Sequence, residues 1–303
     1  MKNSIASQLI LKLSLVFLFG LSINGCTNPT NTTTNNNSQE IISKQEPISQ
    51  AERVVALTSL SADIIHQLDA SKLVGVAGSS LIKQDPRFQD ITTVSEGRSQ
   101  PDLEKIMELK PDLVVGADGF SDQTLAKLEE LGVNTVSTKV DSWLALQDTI
   151  KILAGAIDAD PQPLLDSYQS LLPAKLESNI STLVLVSRQP ILAPNKNSWT
   201  GDLLTQFKVN NVVADLQGSG QFSGYVTLSP EKILETNPEV IIIVDPAREG
   251  ILEQLKQEDF WSELNAVKRD RIYTFDYYGL VNPGSMAKVK DTLTQLAQLT
   301  QND

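Results

Sequence analysis

Two glutamates, Glu104 and Glu231, head nearly identical segments, and matched carboxylates are a natural first place to look for acid–base chemistry. Glu104-Lys105-Ile106-Met107-Glu108-Leu109-Lys110-Pro111-Asp112-Leu113-Val114-Val115 reappears without a gap as Glu231-Lys232-Ile233-Leu234-Glu235-Thr236-Asn237-Pro238-Glu239-Val240-Ile241-Ile242. The offset is 127 residues (231 minus 104), too long for a solenoid repeat of ~20–50 residues. It implies two similar lobes, one acid on each. Carboxylates that hydrolyse a glycoside must lie within ~5–10 Å of each other, which equivalent positions on separate lobes do not satisfy. No nucleophile elbow or metal motif supports catalysis either, so an enzyme is not expected. With one histidine, His66, and one cysteine, Cys26, the usual zinc sites are excluded. His66 lies beside an apolar helical stripe, and a structural or solvent role is its default. Tyr277 and Tyr278 could hold bare Fe(III), but alternation along a strand would point them to opposite faces. Gly218-Ser219-Gly220-Gln221-Phe222-Ser223-Gly224 lacks a P-loop lysine and the dinucleotide glycine spacing, so it reads as a loop at a cleft edge. No metal or cofactor site is expected.

The 303 residues carry 25 basic against 37 acidic side chains, a net charge of −12. That balance argues against a phosphate backbone as partner, so no nucleic acid is expected. Near the start, Lys2 and Lys12 border an apolar run from Leu13 to Leu21 that is too short to span a bilayer. It reads as an export signal. Ile23-Asn24-Gly25-Cys26 resembles the lipobox of bacterial lipoproteins, in which the cysteine is acylated after cleavage; Asn24 is a less usual residue there. Residues 1–25 are thus expected to be a signal peptide and Cys26 the lipidated residue. Residues 26–50, rich in Asn, Thr, Ser and Gln, hold too few apolar groups to offset chain entropy and are expected to form a flexible tether.

The elements that must position these residues begin at Arg53-Val54-Val55-Ala56-Leu57, a buried strand. Ser61 follows as an N-cap, with Ile64, Ile65 and Leu68 on one helical face. Strands at Leu73–Val76, Ile91–Val94 and Val133–Ser137 then alternate with helices, which predicts a parallel sheet covered on both faces. From Ser142 to about Ser178 the pattern is helical only, with stripes at Trp143, Leu146, Ile150, Leu153, Ile157 and at Leu164, Leu165, Tyr168, Leu171, Leu172. Pro173 is expected to kink or shift the second. Strands return at Leu183–Val186 and Arg271–Phe275, and a last amphipathic helix runs from near Ser285 to Leu299. The expectation is an α/β fold of two lobes, residues 51–140 and 179–303. Each has a mainly parallel central sheet flanked by helices, and residues 141–178 join them as a long, rigid helical spine.

The ordered set formed by Arg53–Leu68, Leu103-Glu104-Lys105-Ile106, Lys110-Pro111-Asp112-Leu113, Leu228-Ser229-Pro230-Glu231-Lys232-Ile233-Leu234 and Trp261-Ser262-Glu263-Leu264-Asn265-Ala266-Val267-Lys268 resembles the substrate-binding proteins of iron–siderophore and cobalamin ABC importers. The resemblance spans about Arg53 to Leu299. It implies an extracytoplasmic protein, held at the membrane by a lipid anchor, that delivers a small iron chelate to a permease dimer with its ATPase subunits. Glu104 and Glu231 match the family's permease-docking glutamates. Both would also serve as ordinary first-turn acids, worth ~0.3–1 kcal/mol each at a helix N-terminus. Gly97-Arg98-Ser99-Gln100-Pro101 is similar to the hydroxamate-siderophore branch, whose arginine at this spacing contacts the chelating oxygens; the alternative use of Arg98 is to bond a loop carbonyl. Phe120 stands where that branch often has an aromatic. Trp199, Phe222, Tyr225, Tyr277 and Tyr278 fall in predicted loops of the second lobe, where aromatics can stack on a greasy ligand. Of the adjacent pair Tyr278 is preferred, since Tyr277-Tyr278-Gly279 is similar to a segment of hydroxamate binders. Arg188 is a weaker second cation. The branch's cleft tryptophan is missing near Phe222-Ser223, which leaves cobalamin or another corrinoid as the alternative ligand.

Overall fold

Val54–Ala56 (β1) is apolar at every position and wholly buried, as a strand covered on both faces must be. The structure is a computed structural model that describes residues 50–97, 99–172, 179–218, 224–245 and 250–301. The signal segment, Cys26, the tether up to residue 49, Arg98, Pro173 and Phe222 lie outside the described residues. Around β1 run β2 (Leu73–Val76), β3 (Thr92–Thr93), β4 (Leu113–Ala117) and β5 (Asn134–Thr138). Their order is β3-β2-β1-β4-β5 and every pairing is parallel. The crossovers carry α1 (Ser59–Asp69), α2 (Ser80–Gln84), α3 (Leu103–Glu108) and α4 (Asp122–Glu130). Strand order reverses direction between β1 and β4, a topological switch point of the kind that hosts ligands.

α5 (Trp143–Ala156) and α6 (Gln162–Gln169) follow without an intervening strand, then β6 (Ser181–Leu185), β7 (Ser187–Arg188) and β8 (Ile191–Pro194). α7 (Trp199–Gln206), β9 (Asn210–Asn211), β10 (Tyr225–Thr227), α8 (Pro230–Thr236) and β11 (Val240–Val244) come next. α9 (Ile251–Leu255), α10 (Asn265–Lys268), β12 (Ile272–Phe275), α11 (Tyr277–Leu280) and α12 (Met286–Gln301) complete the chain. The second parallel sheet has the order β12-β11-β6-β9. A small antiparallel sheet, β10-β8-β7, accompanies it, with no counterpart among the described residues of the first lobe.

The repeated segment builds the same piece twice. Asp102 and Ser229, 127 apart (229 minus 102), are the N-caps of α3 and α8; the Asp102 side chain accepts the N–H groups of Glu104 and Lys105, and that of Ser229 accepts the N–H of Lys232. Ile106 and Ile233 are fully buried beneath their sheets. Both helices stop at a left-handed residue directly before a proline: Lys110 at φ 48° and Asn237 at φ 39°. Asparagine tolerates that conformation better than lysine, and glycine best. The acid after the proline then ties down the neighbouring strand. Asp112 accepts the Glu52 and Arg53 N–H groups at 2.9 Å each, just ahead of β1. Glu239 accepts both the N–H and the hydroxyl of Ser181 at 3.0 Å, at the start of β6. Those bonds hold the Glu239 carboxyl below the usual carboxylate range.

The join between lobes is made in two helical pieces. α5, 14 residues and so about 21 Å long, is fixed at both ends. At its C-terminal end Ala51 N–H donates to Ala156 O at 2.8 Å. At its N-terminal end Trp143 N–H donates to Asp202 Oδ2 on α7 at 2.7 Å. α12 forms a second bridge: Met286, Val289, Leu293, Leu296 and Leu299 belong to one buried cluster with α1, α5 and α7. That cluster extends from β1 to β11, so the two sheets share a core along one side.

Ile106 and Ile233 sit in separate apolar clusters. Ile106→Ala and Ile233→Ala should each cost ~2–5 kcal/mol in urea unfolding. The double substitution should equal their sum within ~0.5 kcal/mol; a clear shortfall would mean that the two copies are energetically coupled.

Candidate functional site

The carboxyl ends of both sheets converge on one region. After β5 the chain reaches Trp143, whose indole stacks near Trp199 with ring centroids 6.4 Å apart and planes at 27°. Trp199 Nε1–H in turn donates to Gly279 O at 2.8 Å, in the turn after β12. Thr200 Oγ1–H donates to Leu280 O at 2.6 Å. On the other side, a Cβ at Gly284 would lie 2.6 Å from Tyr278 Cδ1 and 2.7 Å from Leu81 Cδ1. The Tyr278 turn and α2, which follows β2, therefore meet across that glycine. Trp143 Nε1–H is buried with no hydrogen-bond partner among the described residues.

The first lobe presents Phe120. Its turn is tightly built: Gly119 at φ 73° donates its N–H to Asp122 Oδ1, and Ser121 Oγ accepts Ala117 N–H, both at 3.0 Å. This frame leaves the Phe120 ring 81% exposed, an expensive arrangement for a large apolar group. The residues on either side of position 98 are also held. Ser99 Oγ accepts Glu96 N–H at 3.0 Å, Gly97 N–H donates to Gly78 O at 2.9 Å, and Lys83 pairs with Glu96 at 2.7 Å. The Ser59 and Ser79 hydroxyls, 2.6 Å apart, link the loops after β1 and β2.

In the second lobe Trp199, Tyr225, Tyr277 and Tyr278 lie in helices or a strand rather than in loops. Tyr277 and Tyr278 open α11, where Asp276 Oδ1 accepts Tyr278 N–H at 2.8 Å and Asp276 Oδ2 pairs with Lys288 at 3.1 Å. Because β12 ends at Phe275, strand alternation no longer governs these two, and their rings meet edge to face at 5.1 Å. Tyr225 is on β10, half-buried against the core. Burial, and secondarily the charge of a neighbouring Tyr277 phenolate, pushes its phenol up to about 12. Trp199 is a correction: 3% exposed at the first position of α7, it supports α11 from below rather than lining a loop. Arg188 is also engaged, in an ion pair with Glu258. His66 packs edge-on against Phe88 at 5.3 Å.

Glu104 and Glu231 are exposed on their helices. A bond from the Ser229 hydroxyl holds the Glu231 carboxyl below its usual range, with its own backbone N–H contributing. Sequence reasoning passed over Asp63, buried in α1 and bonded to Met286, 223 positions away. The single available signal was a charged residue directly beside the buried pair Ile64-Ile65.

The sequence pattern of the periplasmic binding protein family matches residues 54–278. An uncharacterized ABC transporter substrate-binding lipoprotein of Bacillus subtilis is 26% identical over 256 residues, covering 79% of this chain and 76% of the relative. An iron-uptake system-binding protein of the same species is 26% identical over 263 residues, covering 78% and 80%. A vitamin B12-binding protein of Salmonella typhimurium is 25% identical over 258 residues, covering 82% and 91%. Among solved structures, an ABC transporter substrate-binding protein of Listeria monocytogenes superposes with a TM-score of 0.70 at 23% identity, covering 84% of this chain and all of that one.

Because the folded chain favours the neutral Tyr225 phenol, the stability this provides below about pH 10 should be lost as pH rises toward 12. Near-ultraviolet absorbance titration should show a late-ionising fraction that shrinks in Tyr225→Phe. An unchanged late phase would place Tyr225 in solvent.

Proposed function

The chain belongs to the periplasmic binding protein family, and from that premise we propose that it captures a ferric siderophore of the hydroxamate class between its lobes. It is a substrate-binding protein of an ABC importer, a carrier and not an enzyme. The observation that carries the finer reading is the pairing of an exposed aromatic, Phe120, with the Tyr277–Tyr278 turn, both beyond strand carboxyl ends. Apolar rings with phenolic tips suit the greasy, oxygen-rich surface of an iron chelate. Arg98, between the fixed residues Gly97 and Ser99, supplies in this reading a permanent cation for oxygens that carry negative charge around Fe(III). Trp199 is left out of the contact set. Tyr225, whose phenol stays protonated at neutral pH, is kept as a donor at its edge. The iron-uptake relative from Bacillus subtilis supports the metal chelate. The vitamin B12-binding relative supports the second reading, a corrinoid.

Fluorescence titration with a ferric trihydroxamate and with cobalamin separates the two. We expect saturable binding of the chelate, weakened roughly tenfold or more (~1.4 kcal/mol) by Tyr278→Ala or Arg98→Ala. Tight binding of cobalamin alone would sink the siderophore reading. Glu104 and Glu231, one on each lobe, are proposed to dock on a permease dimer. Replacing both with Gln should leave affinity intact and impair uptake by cells; normal uptake would remove them from the docking face. Acylated Cys26 is proposed as the membrane anchor, and mass spectrometry of membrane-bound protein should find it at the mature N-terminus. A soluble product lacking Cys26 would rule the anchor out.

A further inference from the structure

Asp63 is 1% exposed, yet it carries a carboxylate, so its partners define why it is there. Its Oδ2 accepts the N–H of Met286, the first residue of the 16-residue helix α12, at 2.6 Å. Its Oδ1 pairs with Arg87 Nη1 at 2.9 Å and accepts from Gln67 Nε2 at 3.2 Å. Arg87 is itself held by Asp85 at 2.5 Å. A carboxylate at a helix N-terminus satisfies an otherwise orphaned N–H and faces the positive end of the dipole. Here the carboxylate comes from the first lobe and the helix from the end of the chain.

Two residues before Met286 stands Gly284, wedged between Tyr278 and Leu81. Gly284 N–H donates to Tyr278 O at 2.9 Å. The stretch from Tyr278 to Met286 is thus pinned to the first lobe at two points: by contact at Leu81 and by charge at Asp63. Cavities of about 270 and 450 Å³ border Asp63 along α12, one next to Leu81 and Lys288, the other next to Arg87 and Tyr168. Asp63 thus stands where the shared apolar core gives way to these pockets, and its carboxylate adds a polar tie at that level of the seam.

We infer that Asp63 is a positioning residue for the ligand site: it latches α12 to α1 and so sets the spacing between the Tyr278 turn and the first-lobe loops that carry Phe120. This rests on the reading of Tyr278 and Phe120 as ligand contacts, but the spacing itself can be measured without any ligand.

In the full chain with Cys26→Ser, spin labels at Lys127→Cys on α4 and Lys256→Cys just after α9 report the distance between lobes by pulsed electron resonance. The unsubstituted chain should give one narrow distribution. Asp63→Ala should broaden it or shift it outward. Asp63→Asn, whose amide oxygen can still accept from Met286, should do so less. Affinity for a ferric trihydroxamate should fall about tenfold in Asp63→Ala. If Asp63→Ala does not fold, the Asp63→Asn distribution decides in its place. A folded variant that melts earlier with an unchanged distribution would overturn the latch and leave Asp63 a local stabiliser. If the parent chain ignores ferric trihydroxamates while Asp63→Ala still widens the distribution, the ligand reading fails and the latch stands.

Discussion

A parallel sheet must be covered on both faces, and in this chain one continuous body of apolar side chains covers a face of each of the two sheets, while two separate clusters cover the other faces. Val54 and Ala56 of β1, Ile64 and Ile65 of α1, Leu146, Ile150 and Leu153 of α5, Leu203 of α7, Val240 and Ile242 of β11, and the inward face of α12 all belong to it. The remaining architecture follows from that sharing. Because α5 and α12 both lie in the common core, neither lobe can swing away without exposing it. With side-chain burial worth ~25 cal/mol per Å² of apolar surface, wide opening is opposed along the whole seam rather than at one hinge. A ligand held between such lobes, as proposed, would meet a gap that changes little.

The two copies of the repeated segment show how such a body is specified locally. Cap, buried isoleucine, left-handed stop, proline and strand-pinning acid recur at the same spacing in α3–β4 and α8–β11. None of these devices belongs to the proposed contact set. They set where each sheet begins and at what angle a helix enters it. The surroundings have diverged: the second lobe adds the antiparallel β7, β8 and β10, and β10 delivers Tyr225 to the same region as Tyr277.

Much of this was legible in the residues themselves. Val54-Val55-Ala56, Leu73–Val76 and Val240–Val244 are apolar runs with turn residues on either side, and they are strands. The stripe from Trp143 to Ile157 and its interruption at Asp160-Pro161 foretold α5, the break and α6. The site was read less well, for reasons of range and of local geometry. Trp199 was expected in a loop, whereas Ser198 is the N-cap of α7 and the indole is buried against Gly279. Tyr277 and Tyr278 were expected in a loop after Phe275, but Asp276 caps a helical turn there. Asp63's tie to α12 was not legible because that partner is 223 residues distant and is a backbone N–H, which has no side-chain signature.

The paired indoles of Trp143 and Trp199 have an optical consequence. At 6.4 Å and 27° their transition dipoles are close enough to couple, while the third tryptophan, Trp261, belongs to a separate apolar cluster. The near-ultraviolet circular dichroism of this chain is therefore weighted toward the junction of the lobes. A change in that band reports a shift of α5 against α7, and a ligand that fills the gap without moving them leaves it alone.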